Sequence, residues 1–365
     1  MTREEPTAGV TARPRGYVLR GRLWPGGGEP AIDDAVVVVD AEGIVAAYGP
    51  AHLVDLPDGV PVVAGGWVGP GVVDAHVHLA FGSAAAMAAG GVVAVRDLGS
   101  PVDDARDRRA PDAVPVVAVS GPLLTAPGGY PSRSWGARGF ARFLGSPGEA
   151  RRAVGTLVDA GVDVVKVALE PADGLPVPPA EVVRAVVDAA HDAGLAVTCH
   201  ALTVEMVSRA LDAGADELAH LPVEHLPTHL VARLALEEVP VVSTLHTLVG
   251  QGGPQANAVR ANARALVGAG VPLVYGTDLG NTGTSTGVDV EELALLAEAG
   301  LGDEGAMRAA TEGSAGVHGL RGRCEPAVVV GRRAHMVVLP ADPLSEPKSW
   351  TSPLAVVSGR EVVRP

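Results

Sequence analysis

Between Gly71 and Gly300 the chain repeats one unit: a short apolar run, a loop, and an Ala-rich segment with helical periodicity. Eight apolar runs read as strands, at residues 72–79, 92–97, 114–119, 162–168, 196–200, 217–219, 239–245 and 272–276. Segments of helical period alternate with them, at 148–160, 179–193, 204–213, 227–237, 255–269 and 290–299. Glycine closes several of these, at Gly161, Gly194, Gly214, Gly270 and Gly300. It accepts the left-handed conformation that stops a helix. Apolar strands alternating with helices predict an α/β fold, a parallel (β/α)8 TIM-like barrel over residues 68–320. A doubly wound sheet would want a Gly-rich phosphate turn after its first strand, and His76 and His78 stand there instead.

The flanks read differently. Residues 17–67 hold short β-like runs separated by turns, Y-V-L-R, A-V-V-V-V-D and I-V-A-A-Y, and the same pattern returns over 321–365. Together they predict a small β-sandwich domain built from both chain ends. Residues 1–16 are polar and contain proline, and are expected to be a flexible N-terminus. M-T-R-E-E-P lacks the apolar stretch of a signal peptide, no run is long enough to span a membrane, and only Cys199 and Cys324 occur. A cytoplasmic protein without a membrane partner is therefore expected. The net charge of −14 argues against a nucleic-acid partner.

In a parallel barrel the chemistry sits at the C-terminal ends of the strands. The first strand, G-V-V-D-A-H-V-H-L, ends in His76 and His78. Residues i and i+2 of a strand share a face, so two imidazoles leave in one direction. That is half of a divalent-metal site, or else two neighbouring core histidines. The fifth strand ends in His200, the sixth in His220, the seventh in His246 and the eighth in Asp278. Lys166 lies inside the fourth, V-V-K-V-A-L. Of 28 basic residues only Lys166 and Lys348 are lysine. A lysine kept in an apolar strand of an arginine-using chain either forms a structural ion pair or is needed as an amine.

This ordered set resembles the amidohydrolase superfamily, in its subtype with a binuclear metal centre and a carboxylated lysine, as in Xaa-Pro dipeptidases and imidazolonepropionase-like enzymes. The likeness is carried by D-A-H-V-H-L, V-V-K-V, T-C-H-A, the A-H of the sixth strand and G-T-D. It implies two divalent metal ions, with zinc first and iron or manganese compatible. His76, His78 and Asp278 would bind the more buried ion, His200 and His220 the other, and carboxylated Lys166 would bridge them. The chemistry is consistent, because burial lowers a lysine pKa toward the neutral form that takes up carbon dioxide, which arginine cannot do. The implied reaction is hydrolysis of an amide or related C–N bond of a small molecule, such as an N-acyl amino acid, dipeptide or lactam. A hydroxide bridging the metals would attack, Asp278 would move the proton, and His246 would steady the carbonyl oxygen. A homo-oligomer fits the class.

The segment from Gly121 to Pro147 is long and follows the third strand, so it overhangs the barrel mouth. It carries Tyr130, Trp135, Phe140 and Phe143 with Arg133, Arg138 and Arg142. Tyr130, Arg133, Trp135, Arg138 and His246 are candidate substrate contacts, and the pairing of rings with arginines points to an apolar substrate bearing an acidic group. Relatives that hydrolyse dipeptides often read G-G-H where this chain reads Gly128, Gly129, Tyr130. Two other chemistries suit the same ligands: oxygenation at a dinuclear iron site, and a mononuclear deaminase or cyclic-amide hydrolase with free Lys166.

Overall fold

The computed structural model describes residues 16–107, 114–281, 283–284, 286–325 and 327–364. The segment expected to be flexible therefore lies outside the described residues up to position 15. Four strands come first: β1 Tyr17–Leu23, β2 Ile32–Val39, β3 Val45–Pro50 and β4 Val62–Pro70. The parallel strands follow, with β5 Val72–Val77, β6 Val92–Asp97, β7 Val116–Val119 and β8 Leu123–Thr125. Then come β9 Ala141–Phe143, β10 Val165–Leu169, β11 Val197–Ala201, β12 Glu217–Leu218, β13 Val241–Val242 and β14 Leu273–Val274. The chain ends in β15 His335–Leu339, β16 Ala355–Ser358 and β17 Glu361–Val363.

Two parallel sheets form the large unit. One has the order β5-β6-β7, the other β14-β13-β12-β11-β10-β8-β9. Every residue of β5, β6, β10 and β11 is buried, as expected of strands covered on both faces. Backbone bonds join the two sheets. Asp278 N donates to His76 O at 2.8 Å and His78 N to Leu279 O at 2.9 Å, while Asp163 N donates to Val119 O at 2.8 Å. The arrangement is TIM-barrel-like, with helices on the outside. Its helices start and stop by ordinary chemistry: Ser146 and Thr203 accept from backbone amides at the starts of Pro147–Ala160 and Val204–Ala213, and left-handed Gly161 and Gly214 close them.

The segment over the mouth is not a free loop. Its β8 and β9 pair in parallel, Leu123 with Ala141 and Thr125 with Phe143, and β8 also pairs with β10 at Leu124 and Val167. This lid is stitched into the main sheet.

The two chain ends do pair, through one continuous strand order, β17-β16-β15-β4-β1-β2-β3. The reason is β4, which runs parallel to β1 and antiparallel to β15. Gly65 and Gly66 let it run close against the end of β15 and the chain just after it, since a Cβ on Gly66 would lie 2.1 Å from the Pro340 carbonyl oxygen. A separate apolar core of Leu19, Val37, Met336, Val338 and their neighbours lies against this sheet. Trp67 joins Trp24 and Trp350 in the core of the large unit, its ring 6.3 and 5.7 Å from theirs. Among the described residues no helix is long and apolar enough to cross a membrane.

Candidate metal centre

Six side chains predicted to bind metal converge at one end of the parallel strands, around one cavity. His76 lies on β5 and His78 immediately beyond it, Lys166 on β10, and His200 on β11. His220 follows β12 by two residues, and Asp278 follows β14 by four. Asp278 holds a left-handed backbone, φ 54°, uncommon for a non-glycine residue and typical of functional turns. Asp74 fixes this corner. Its carboxylate accepts from His76 N at 3.1 Å, Thr277 N at 3.1 Å and Thr277 Oγ1 at 2.6 Å. It thereby ties the first histidine strand to the turn that carries Asp278. Burial pushes the Asp74 carboxyl up to about 7, against those three hydrogen bonds.

The ligating atoms of His76, His78 and Asp278 all lie within 4.8 Å of one another, and all three residues are buried. His76 donates Nδ1–H to the Ala219 carbonyl at 2.9 Å, an oxygen that only accepts. Its Nε2 is then a bare lone pair, 3.4 Å from Asp278 Oδ1, and neither atom has a hydrogen-bond partner. Two buried lone pairs facing each other repel unless a cation or proton sits between them. His78 Nε2 is 3.3 Å from the same oxygen. Burial drives the His76 and His220 pKa values well below the ordinary imidazole range, so both are neutral donors suited to a metal. Burial tends to raise Asp278, but the imidazoles of His76, His78 and His220 around it outweigh this and hold the carboxyl well below the usual range. The site thus fits a divalent cation.

The other three residues surround this cluster. The His220 ring is 4.5 Å from that of His76 and 4.7 Å from that of His200, and His220 Nδ1 is 3.9 Å from Asp278 Oδ2. Thr244 Oγ1 bonds His220 Nδ1 at 3.1 Å, and Glu170 bonds His200 Nε2 at 2.9 Å. Lys166 Nζ is buried without a hydrogen-bond partner, and burial lowers its pKa from 10.5 to about 7. Among the described residues it forms no ion pair within 4.0 Å.

Sequence reasoning missed the layer beneath. Arg96 is fully buried; it bonds the Ala75 carbonyl at 2.8 Å and Glu217 through both guanidinium nitrogens. Thr198 Oγ1 donates to Glu217 at 2.7 Å. Glu217 lies three residues before His220, and Arg96 reaches the residue before His76, so this pair braces two ligand-bearing strands from below. An apolar strand with one arginine, V-V-A-V-R-D, was the available signal.

The cavity, about 210 Å3, is lined by the six residues together with Phe81, Leu123, Tyr130, Trp135, Gly280 and Asn281. The Trp135 ring lies 4.9 Å from His78, and the Tyr130 ring stacks on His200 at 5.2 Å. Three expectations fail. Arg133 and Arg138 are exposed and do not line the cavity. His246 does not end a strand: β13 stops at Val242, Thr244 turns left-handed at φ 41°, and His246 falls in the short helix Leu245–Gly250. It faces a neighbouring cavity of about 520 Å3 with Thr247 and Gln251, and Asn281 borders both cavities. There its Nδ1 bonds Asp289 at 2.7 Å.

Comparison with known proteins agrees with this geometry. The sequence profile of the amidohydrolase family matches residues 67–362. An uncharacterised protein of Mycobacterium tuberculosis is 28% identical over 287 residues, 68% of this chain and 74% of that protein. The crystal structure of a putative prolidase from Bifidobacterium longum superposes with a TM-score of 0.80 at 26% identity, covering 96% of this chain and 94% of that one. A Xaa-Pro dipeptidase with methionine in its active site gives 0.81 at 19% identity, over 96% of this chain and 100% of that one.

Proposed function

The chain belongs to the amidohydrolase family, and from that premise we propose that it is a hydrolase using two divalent metals to cleave an amide or related C–N bond of a small molecule. The observation that carries the reading is the partnerless, buried trio of His76 Nε2, Asp278 Oδ1 and Lys166 Nζ around one cavity. In this reading the two parallel sheets are one (β/α)8 barrel. His76, His78 and Asp278 would hold one ion, and His200 and His220 the other, with Lys166, carboxylated, as a further ligand. Such ions polarise a scissile carbonyl and acidify water. The likeness to a prolidase supports C–N bond cleavage.

The chain's own residues do the rest. The Ala219 carbonyl and Glu170 hold two imidazoles in the tautomers a cation needs. Asp278 accepts the proton of the attacking water at Oδ2 and delivers it to the leaving nitrogen. Tyr130 and Trp135 cover the ligand histidines and keep bulk water from the bond being cleaved.

The test is metal analysis of active protein beside assays for amide hydrolysis and for oxygen uptake. Two metals per chain, hydrolysis without oxygen uptake, and loss of activity with one metal in Lys166→Ala support the reading. Full hydrolysis by Lys166→Ala, or substrate-dependent oxygen uptake by an iron-loaded form, overturns it.

A further inference from the structure

Aromatic residues are scarce in this chain, 3% of the total, and it holds only three phenylalanines. These are Phe81, beside the metal cavity, and Phe140 and Phe143, in the lid. The core of the large unit holds no phenylalanine; its rings are Trp24, Trp67, Trp350 and Tyr275 among valine, alanine and leucine. The rings meet one another: Phe81 stands edge-on to Trp135 at 5.8 Å and 88°, and stacks with Phe140 at 6.4 Å, while Trp135 lies 6.0 Å from Phe140. These are the spacings at which aromatic pairs attract. Yet Phe81 remains 51% exposed. Placing all three phenylalanines at the mouth and lid leaves apolar area there for something to cover.

The polar side of the cavity says what that something lacks. Apart from the metal-binding set, its lining has no charged side chain among the described residues. Arg133, Arg138 and Arg142 are exposed and do not line it. Tyr130 Oη accepts from Trp135 Nε1 at 3.3 Å, and Asn281 Nδ2 donates to the Asp278 carbonyl at 2.9 Å. Away from the metal-binding set, a charged group drawn against this wall would be desolvated with only neutral partners.

We infer that the substrate presents a flat, uncharged aromatic group to Phe81 and Trp135. This rests on the hydrolase reading and narrows it, from amides in general to aryl amides. Phe81 and Trp135 are its specificity residues.

The experiment offers the metal-loaded enzyme acetanilide and N-methylbenzamide, which carry the ring on the amine or the acyl side. The cyclohexyl analogue of each and the dipeptide Ala-Pro complete the set. The aryl compounds are cleaved with kcat/KM about three- to tenfold above their cyclohexyl analogues, and at least about tenfold above the dipeptide. Phe81→Ala, at an exposed position outside the core, brings the ratio of aryl to cyclohexyl kcat/KM down to about one. Calorimetric titration reads the same preference as affinity and needs no turnover. Aryl preference in binding without cleavage of any compound sinks the hydrolase reading and leaves the aromatic site standing. Equal or better cleavage of the cyclohexyl amides or the dipeptide overturns the aromatic site and leaves hydrolysis intact. Absence of binding by every compound also overturns it.

Discussion

Glu170, the residue after β10, accepts a hydrogen bond from His200 Nε2 on β11 at 2.9 Å. Burial works to raise the Glu170 pKa, but the bond to His200 outweighs it and holds the carboxyl below its ordinary value. A carboxylate can only accept, so Nε2 carries the hydrogen and Nδ1 is the free lone pair of the ring. Glu170→Ala should therefore weaken metal binding about 10- to 100-fold. A competition titration against a metal-chelating dye measures this. Unchanged affinity would show that Glu170 does not orient His200.

Arg96 and Glu217 form a buried ion pair between β6 and β12. Removing one partner leaves a buried charge alone, which costs about 3–5 kcal/mol. Arg96→Met and Glu217→Leu should each destabilise the fold by that amount in denaturant unfolding. The double variant should lose clearly less than the two losses added together. Simple additivity would mean that the two charges are not coupled.

His335, on β15, is buried, and its Nδ1 lies 3.1 Å from Ser358 Oγ. Burial, helped by the charge of Arg333, lowers its pKa from 6.5 to about 4. Between those values the unfolded chain binds a proton that the folded chain refuses. The stability His335 contributes is complete above pH 6.5 and is lost as pH falls toward 4, by about 3 kcal/mol in all. His335→Gln should show a shallower decline than the wild type across that window in pH-dependent melting. Parallel curves would refute the assignment.

His246 lies outside the cavity that holds the metal-binding set, in the helix Leu245–Gly250 and paired to Asp289. His246→Ala should keep the full metal content by elemental analysis and lose less than about tenfold in kcat, well short of the roughly 100-fold or larger loss expected when a proton-transfer group is removed. A hundredfold fall in kcat with metal retained would return His246 to the reaction itself.

Local pattern alone was enough for much of this protein. The paired histidines of D-A-H-V-H, the lone strand lysine, and Asp278 after G-T are readable because a strand alternates its faces and because buried titratable groups are rare in apolar runs. The helix ends were legible for a similar reason, since Gly161 and Gly214 act on the turn beside them. What remained hidden depends on residues far apart in the chain. Arg96 meets Glu217 across 121 positions, and His76 meets the Ala219 carbonyl across 143. No periodicity encodes such a partner; only the closing together of neighbouring parallel strands supplies it. The misplaced residues failed for the same reason. His246 leaves the strand direction because Thr244 adopts a left-handed turn, and Arg133 and Arg138 face solvent because pairing of β8 with β9 sets which side of the lid turns inward. The candidate ligands are thus written along the chain, while their tautomers, their bracing and the wall of the cavity exist only once the strands have assembled.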